Sequence, residues 1–164
     1  MSEDKSAGEK LIASNPNARN RYFLEEFVEA GIVLTGTEIK SMRTQSPNIR
    51  DAYVEIRPSG TSLEAWLHNV HIGPYSHGNI WNHEPMRKRK LLLHKHQIQK
   101  LFGAVIQKGM TLVATRMYFK KGMAKIEIAL GKGKKAHDKR EDIKKRSADR
   151  EISRAMKQSK KDRR

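Results

Sequence analysis

The sequence predicts a mainly β protein: a small closed antiparallel barrel with two to three helices, followed by a strongly basic C-terminal tail. Three observations lead there. Short runs of alternating apolar and polar residues recur between glycine and proline turns. Two segments carry apolar residues at helical spacing instead. From residue 131 onward large apolar residues almost vanish while charge rises.

Met1 to Lys10 is polar and mixed in charge, and residues 1–14 are expected to be a flexible N-terminus. The barrel is expected over 15–130. Its first strand spans 22–34, rich in aromatic and branched residues, with Gly31 marking a bulge or bend. A helix follows over 36–44, with Ile39 and Met42 inward and Lys40 and Arg43 outward. Residues 52–57 alternate, with Ala52, Val54 and Ile56 on one face. The turn Pro58-Ser59-Gly60 leads into a second alternating run, 62–72, which makes a hairpin. After a loop over 73–90, Ile98, Leu101, Phe102, Val105 and Ile106 define an amphipathic helix over 94–107, with Gly109 as its stop. Residues 111–120 and 123–130 form a second hairpin about Lys121-Gly122, with Ile126, Ile128 and Leu130 on one face. Five or six strands of this length close most simply into a ring, which removes exposed sheet edges. The oligonucleotide-binding (OB) barrel is the simplest match.

Residues 131–164 hold 15 basic and 6 acidic side chains, more than half of the chain's net charge of +16. Ile143, Ile152 and Met156 are the only large apolar residues in that stretch, too few to offset the entropy of ordering it. The tail is therefore expected to be disordered when free. Ala148, Ile152, Ala155 and Met156 would form a narrow apolar stripe if it became helical on a partner.

The charge points to a polyanionic partner, and nucleic acid is favoured over a membrane surface. No apolar run exceeds three residues, as in Leu91-Leu92-Leu93, far short of the roughly 20 residues a spanning helix needs. The N-terminus lacks the apolar core of a secretion signal, so a cytoplasmic location is expected. The chain has no cysteine, which excludes disulfides, thiolate zinc sites and cysteine nucleophiles.

A search for catalytic groups yields no candidate. His68 and His71 would face opposite sides of a strand. His94 and His96 are two apart and would not share a helical face, and no carboxylate neighbours either pair in sequence. The seven histidines are read as surface or RNA-facing, and no metal or cofactor is expected. Glu25 and Glu26 would point apart in a strand. Gly131-Lys132-Gly133-Lys134-Lys135 lacks phosphate-loop spacing and reads as a flexible basic hinge.

Nucleic-acid features are stronger. Arg87-Lys88-Arg89-Lys90 is a four-residue basic run; Lys120, Lys121 and Lys125 cluster at a hairpin; Lys132, Lys134, Lys135, Lys139 and Arg140 follow. Each can neutralise a phosphate. Tyr22, Tyr53, Trp66, Trp81 and Tyr118 could stack on unpaired bases, although core packing is the default for most, Phe23, Phe102 and Tyr53 included. Trp81, in a polar loop, is the hardest to bury. From composition and pattern, a general single-strand-binding or ribosomal barrel protein and a histidine nuclease remain open.

Several blocks, in order, resemble the SmpB family. They are Tyr22-Phe23-Leu24-Glu25-Glu26, Glu29-Ala30-Gly31-Ile32-Val33-Leu34, Gly36-Thr37-Glu38-Ile39-Lys40-Ser41-Met42-Arg43 and Asp51-Ala52-Tyr53-Val54. Arg87 to Leu93 and the run from Gly131 to Arg140 complete the set. The sequence departs from the family where Asn15-Pro16-Asn17-Ala18 lacks two expected positive charges, where Thr37 stands in place of a frequent tryptophan, and in the uncharged Thr44-Gln45-Ser46-Pro47. The resemblance implies a non-enzymatic protein that escorts transfer-messenger RNA (tmRNA) to stalled ribosomes for trans-translation and peptide tagging. It implies a barrel that grips the tRNA-like elbow through Asn15, Arg19, Glu29, Gly31, Lys40, Arg43, Arg87, Arg89, Lys90, Leu93, Lys120 and Lys125, with Lys132, Lys134 and Lys135 at the hinge. It also implies a tail whose His137, Asp138, Lys139 and Arg140, with Ile152 and Met156 beyond, occupy the 16S ribosomal RNA decoding centre and the empty message channel, becoming helical there. Elongation factor Tu, carrying the charged tmRNA, is an indirect partner, and the free chain is expected to be a monomer.

Overall fold

The computed structural model describes residues 8–161. In chain order these form β1 (Glu9–Ser14), α1 (Pro16–Arg21), β2 (Tyr22–Ile32), α2 (Gly36–Thr44), β3 (Tyr53–Ser59) and β4 (Ser62–His68). A single 3-10 turn (Asn79–Trp81) precedes β5 (Arg89–Leu92), α3 (Lys95–Lys108), β6 (Thr111–Lys120), β7 (Met123–Gly133) and α4 (Ala136–Lys161).

The strands close into an all-antiparallel ring in the order β2, β7, β6, β3, β4, β5 and back to β2. One edge of β6 pairs with β7 along its length. Its other edge is shared: Leu112 and Val113 meet β3, while Arg116 to Lys120 meet β1. The expected alternation holds on β7, where Ile126, Ile128 and Leu130 are buried and Lys125 and Glu127 lie on the outer face. Lys121 and Gly122 both have positive φ, 50° and 77°, the signature of a type I′ hairpin turn. Inside the ring pack Leu67, Leu91, Leu112, Met117, Ile126 and Ile128. Leu101 of α3 and Met42 of α2 also bury in this core. Gly109 stops α3 in the left-handed conformation, as its position predicts.

The structure moves the expected boundaries in two places. Glu9–Ser14, expected to be flexible, is an edge strand on β6; residues 1–7 of that segment lie outside the described residues. The barrel does not end at 130, because Gly131, Lys132 and Gly133 pair with Leu24, Phe23 and Tyr22 of β2. The tail, expected to be disordered when free and helical on a partner, is a continuous helix, α4. Its composition favours helix, and its first turns are anchored to the barrel by Lys134–Asp142 and Arg146–Asn20 contacts.

One polar group lies deep in the interior. Glu38 of α2 and Arg89 of β5 both have fully buried side chains and pair at 2.9 Å. Glu38 also accepts from the Thr35 N–H at 2.8 Å and from Arg87 Nη2 at 2.8 Å. Arg89 donates to the carbonyls of Val70 and Arg87, both at 2.8 Å, and of Pro85 at 3.1 Å. Burial pushes the Glu38 carboxyl up, but hydrogen bonds from Arg87 and the Thr35 amide, with the two guanidinium charges, more than offset it. The group stays below its usual 4.5. Because the folded-state value is depressed, the stabilisation is present above pH 4.5 and is lost as pH falls through the folded value.

Glu38→Ala leaves Arg89 charged and unpaired inside the protein, and is expected to lose about 3–5 kcal/mol of unfolding free energy in urea titrations at pH 7. Stability of the parent chain should fall below pH 4.5 more steeply than that of Glu38→Gln. Parallel pH profiles would remove Glu38 as the titrating group.

Candidate nucleic-acid interface

β2 and β7 run side by side for nine pairs, and the candidate residues gather at their opposite ends. At one end Gly31 pairs with Lys125 and Leu92; at the other Tyr22 pairs with Gly133, where α4 departs. Nine residues of strand separate these ends by roughly 30 Å.

At the first end lies an open groove of about 530 Å³ lined by Phe27, Glu29, Gly31, Leu92, Leu93, His94 and Lys125, among others. Gly31 suits its place because a Cβ there would come within 3.3 Å of the Leu92 Cβ, where β2 and β5 close together. Glu29 is held in place. Its Oε2 accepts from Tyr118 Oη at 2.5 Å and from Lys120 Nζ at 2.9 Å, and Lys120 also pairs with Glu9 at 3.3 Å. The Tyr118 and Lys120 bonds hold the Glu29 carboxyl below 4.5, while burial and then Glu29 push the Tyr118 hydroxyl up. Glu29 and Gly31 thus meet Leu93 and Lys125 in one groove, with Lys120 beside it. Lys40 and Arg43 are exposed on α2 and belong to no ion pair among the described residues.

Four residues expected to touch RNA are placed otherwise. Arg89 is fully buried on Glu38. Arg87 is half-buried and drawn to the same carboxylate. Asn15 is buried as the N-cap of α1; its Oδ1 accepts from the Asn17 and Ala18 amides and its Nδ2 donates to the Ala114 carbonyl at 2.8 Å. Lys134 donates to the Arg19 carbonyl at 2.8 Å, pairs with Asp142 at 2.5 Å and lies over the Phe23 ring. The charge runs containing Arg89 and Lys134 do not reveal this, because the acidic partners, Glu38 and Asp142, stand elsewhere in the sequence. Lys90 is half-buried on Glu64. Arg19, Lys132 and Lys135 remain exposed.

The groove also uses Phe27, Leu92 and His94, which sequence reasoning did not assign. The signal was present for Leu92: once Leu91 faces the core, strand alternation turns Leu92 outward, and it is 57% exposed. The His94 and His96 rings stack 5.8 Å apart, 12° from parallel, against expectation, because His94 stands outside α3 as its N-cap. His68 is likewise not a surface histidine. It is buried, stacks on Tyr53 at 5.0 Å and has Nε2 3.0 Å from Glu55 Oε2, at an angle too poor for a hydrogen bond. Burial pushes it toward the neutral form, although Glu55 pulls the other way. Tyr53 and Phe23, expected in the core, are partly exposed. Among the described residues no group of three acidic, histidine or cysteine side chains is placed to hold a metal ion, and no helix is long and apolar enough to cross a membrane.

At the second end α4 begins with the Asp138 carboxylate accepting from the Lys135 amide at 3.0 Å, a cap on its first turn. His137 lies 3.3 Å from Glu141, one turn on. Ile143, Ile152 and Met156 are all exposed.

A closed barrel with an open groove at one end, flanked by the exposed Lys40 and Arg43 of α2, and a basic helical arm at the other is a nucleic-acid-binding architecture. The family model described as SmpB protein matches residues 12–158. The SsrA-binding protein of Nostoc punctiforme is 54% identical over 155 residues, covering 94% of this chain and 97% of that protein. That of Pelobacter propionicus is 51% identical over 150 residues, covering 92% and 96%. A chain in the solved structure "tmRNA-SmpB: a journey to the center of the bacterial ribosome" superposes with a TM-score of 0.62 at 42% identity, covering 80% of this chain and 93% of that one. The chain belongs to the SmpB family.

Tyr118→Phe removes the strongest influence that lowers the Glu29 pKa. In an NMR titration the Glu29 carboxyl midpoint is expected to rise toward 4.5, with about 0.5–1.5 kcal/mol of stability lost. An unmoved midpoint would show that the hydroxyl does not bond Glu29 in solution.

Proposed function

We propose that this chain binds tmRNA through the groove end of its barrel and brings it to stalled ribosomes, where the tail takes the place of message in the decoding centre. The observation that carries this reading is the match to SsrA-binding proteins, which runs through the groove and the tail alike. The geometry supports it. Two basic surfaces roughly 30 Å apart on a stiff barrel can hold two different RNAs at once. Lys125, Lys40 and Arg43 are free to meet phosphate, and Phe27, Leu92 and His94 offer apolar and aromatic surface to bases.

The tail works by exclusion. Among the described residues no hydrogen bond or ion pair ties α4 to the barrel past Arg146, and an isolated helix of such length is marginal in water. The reading is that this part frays in the free chain and orders inside an RNA-lined channel, so a channel filled by message rejects it. Ile152 and Met156, outward in α4, then have a surface to meet. His137, Lys139 and Arg140 act at the decoding centre, and Asp138 keeps the first turn wound. No bond chemistry is involved, the charged tmRNA travels with elongation factor Tu, and the work is done among cytoplasmic ribosomes.

A chain ending at Lys135 tests the division. Truncation there spares the β7 residues paired with β2, which a cut at Gly131 would remove. It is expected to keep full tmRNA affinity in filter binding and to lose peptide tagging on truncated messages. Replacing His137, Asp138, Lys139 and Arg140 together with alanine should do the same. Collapse of tmRNA affinity in either variant, or affinity no greater than for an unrelated structured RNA, would contradict the proposal.

A further inference from the structure

The loop over residues 73–85, between β4 and β5, takes no part in the groove, yet it holds the most exposed large apolar side chains among the described residues. Ile80 is 87% exposed and Trp81 82%. Leaving a tryptophan in water forgoes about 2–3 kcal/mol of burial.

The loop is nonetheless firmly built. The Asn82 amide closes it by accepting from the Tyr75 N–H and donating to the Tyr75 carbonyl, both at 2.8 Å. The Gly78 N–H donates to the Tyr75 carbonyl, and the Trp81 N–H to the Gly78 carbonyl. A Cβ on Gly78 would lie 2.6 Å from the Asn82 side chain, so only glycine fits without displacing that clasp. The loop is also fastened to α2. His83 Nε2 donates to the Ile72 carbonyl at 3.0 Å, which leaves Nδ1 to accept from the Thr37 hydroxyl at 3.0 Å. Ser41 Oγ donates to the Gly73 carbonyl at 2.6 Å, and Gln45 Nε2 to the Pro74 carbonyl at 2.9 Å.

The surroundings favour a polyanion with flat faces. Lys40 lies 5.7 Å from the centre of the Tyr75 ring, which contacts His77; Arg43 is exposed on the same helix, and the only carboxylate of α2, Glu38, is buried. Within the loop itself Glu84 is the single acid. Helix α2 follows the Gly31 end of β2, so the loop stands at the groove end of the barrel and away from the tail. An exposed indole on a clasped loop, fastened to the helix that carries Lys40 and Arg43, fits an unstacked base with phosphates alongside.

We propose that Trp81 is a stacking platform for an unpaired nucleotide of the tmRNA held in the groove, with Lys40 and Arg43 contacting the neighbouring phosphates. This extends the proposed function and rests on it.

The chain has two tryptophans, so Trp66→Phe leaves Trp81 as the only reporter. The difference between the parent chain and Trp81→Phe gives the same signal should Trp66→Phe fold poorly. On titration with tmRNA, Trp81 emission is expected to be quenched and shielded from acrylamide, saturating with filter binding. Trp81→Ala should weaken tmRNA binding by roughly 5- to 150-fold, with Trp81→Phe recovering much of it. Unchanged Trp81 emission while the filter assay shows full binding would overturn the platform and leave the proposed function standing. A change seen only on adding vacant ribosomes would overturn it too, assigning the surface to the ribosome. Absence of tmRNA binding in the filter assay would defeat both.

Discussion

The buried pair between Glu38 and Arg89 ties together the parts from which the groove is made. Glu38 belongs to α2 and caps its own helix through the Thr35 amide; Arg89 opens β5 and binds carbonyls on either side of the loop over 73–85. Three residues on from Arg89, Leu92 meets Gly31 and forms the groove wall. Charges so placed are costly unless every partner is present, and here the network is well supplied: Glu38 takes four close contacts and Arg89 reaches four acceptors. The pair therefore fixes α2, β5 and the loop against one another in a single register.

That rigidity gives the strand pair β2 and β7 its function as a spacer. The strands are long and bulged where Glu26 leaves the ladder to meet Lys100 of α3; β7 is paired along its other edge by β6, and β2 joins β5 at Gly31 and Ile32. An RNA gripped at the Gly31 end and a tail leaving at the Gly133 end are held at a set distance. Lys134 governs the departure: with its ammonium on Asp142 and the Arg19 carbonyl, it joins the start of α4 to α1, and the pull of Lys134 holds the Asp142 carboxyl below its usual value.

Much of the fold was legible in the sequence. Strand alternation located β3, β4, β6 and β7, and helical spacing located α2 and α3, because each has one face that must be buried. β1 was not legible: an edge strand pairing on one side and half exposed needs no clean alternation. α1 was missed because six residues carry too few apolar positions for periodicity, although Asn15 followed by Pro16 is a helix-start signal. In the site, Glu29, Gly31, Leu93 and Lys125, which the family resemblance groups together, line one groove, whereas Arg89 and Lys134 do not face solvent. A run of basic residues states charge and not direction, and only the fold supplies the buried carboxylate or the carbonyl that turns one member inward.

The central claim, that opposite ends of one barrel serve different RNAs, is tested most directly by directed hydroxyl-radical cleavage. The chain has no cysteine, so single cysteines carrying tethered iron are clean probes. Lys121→Cys marks the turn beside Lys120 and Lys125, and Lys144→Cys marks α4. In the complex of full chain, tmRNA and stalled ribosome, the first should cut tmRNA and the second the small-subunit ribosomal RNA. Cleavage of the same RNA from both positions, or the reverse pattern, would contradict the two-ended arrangement.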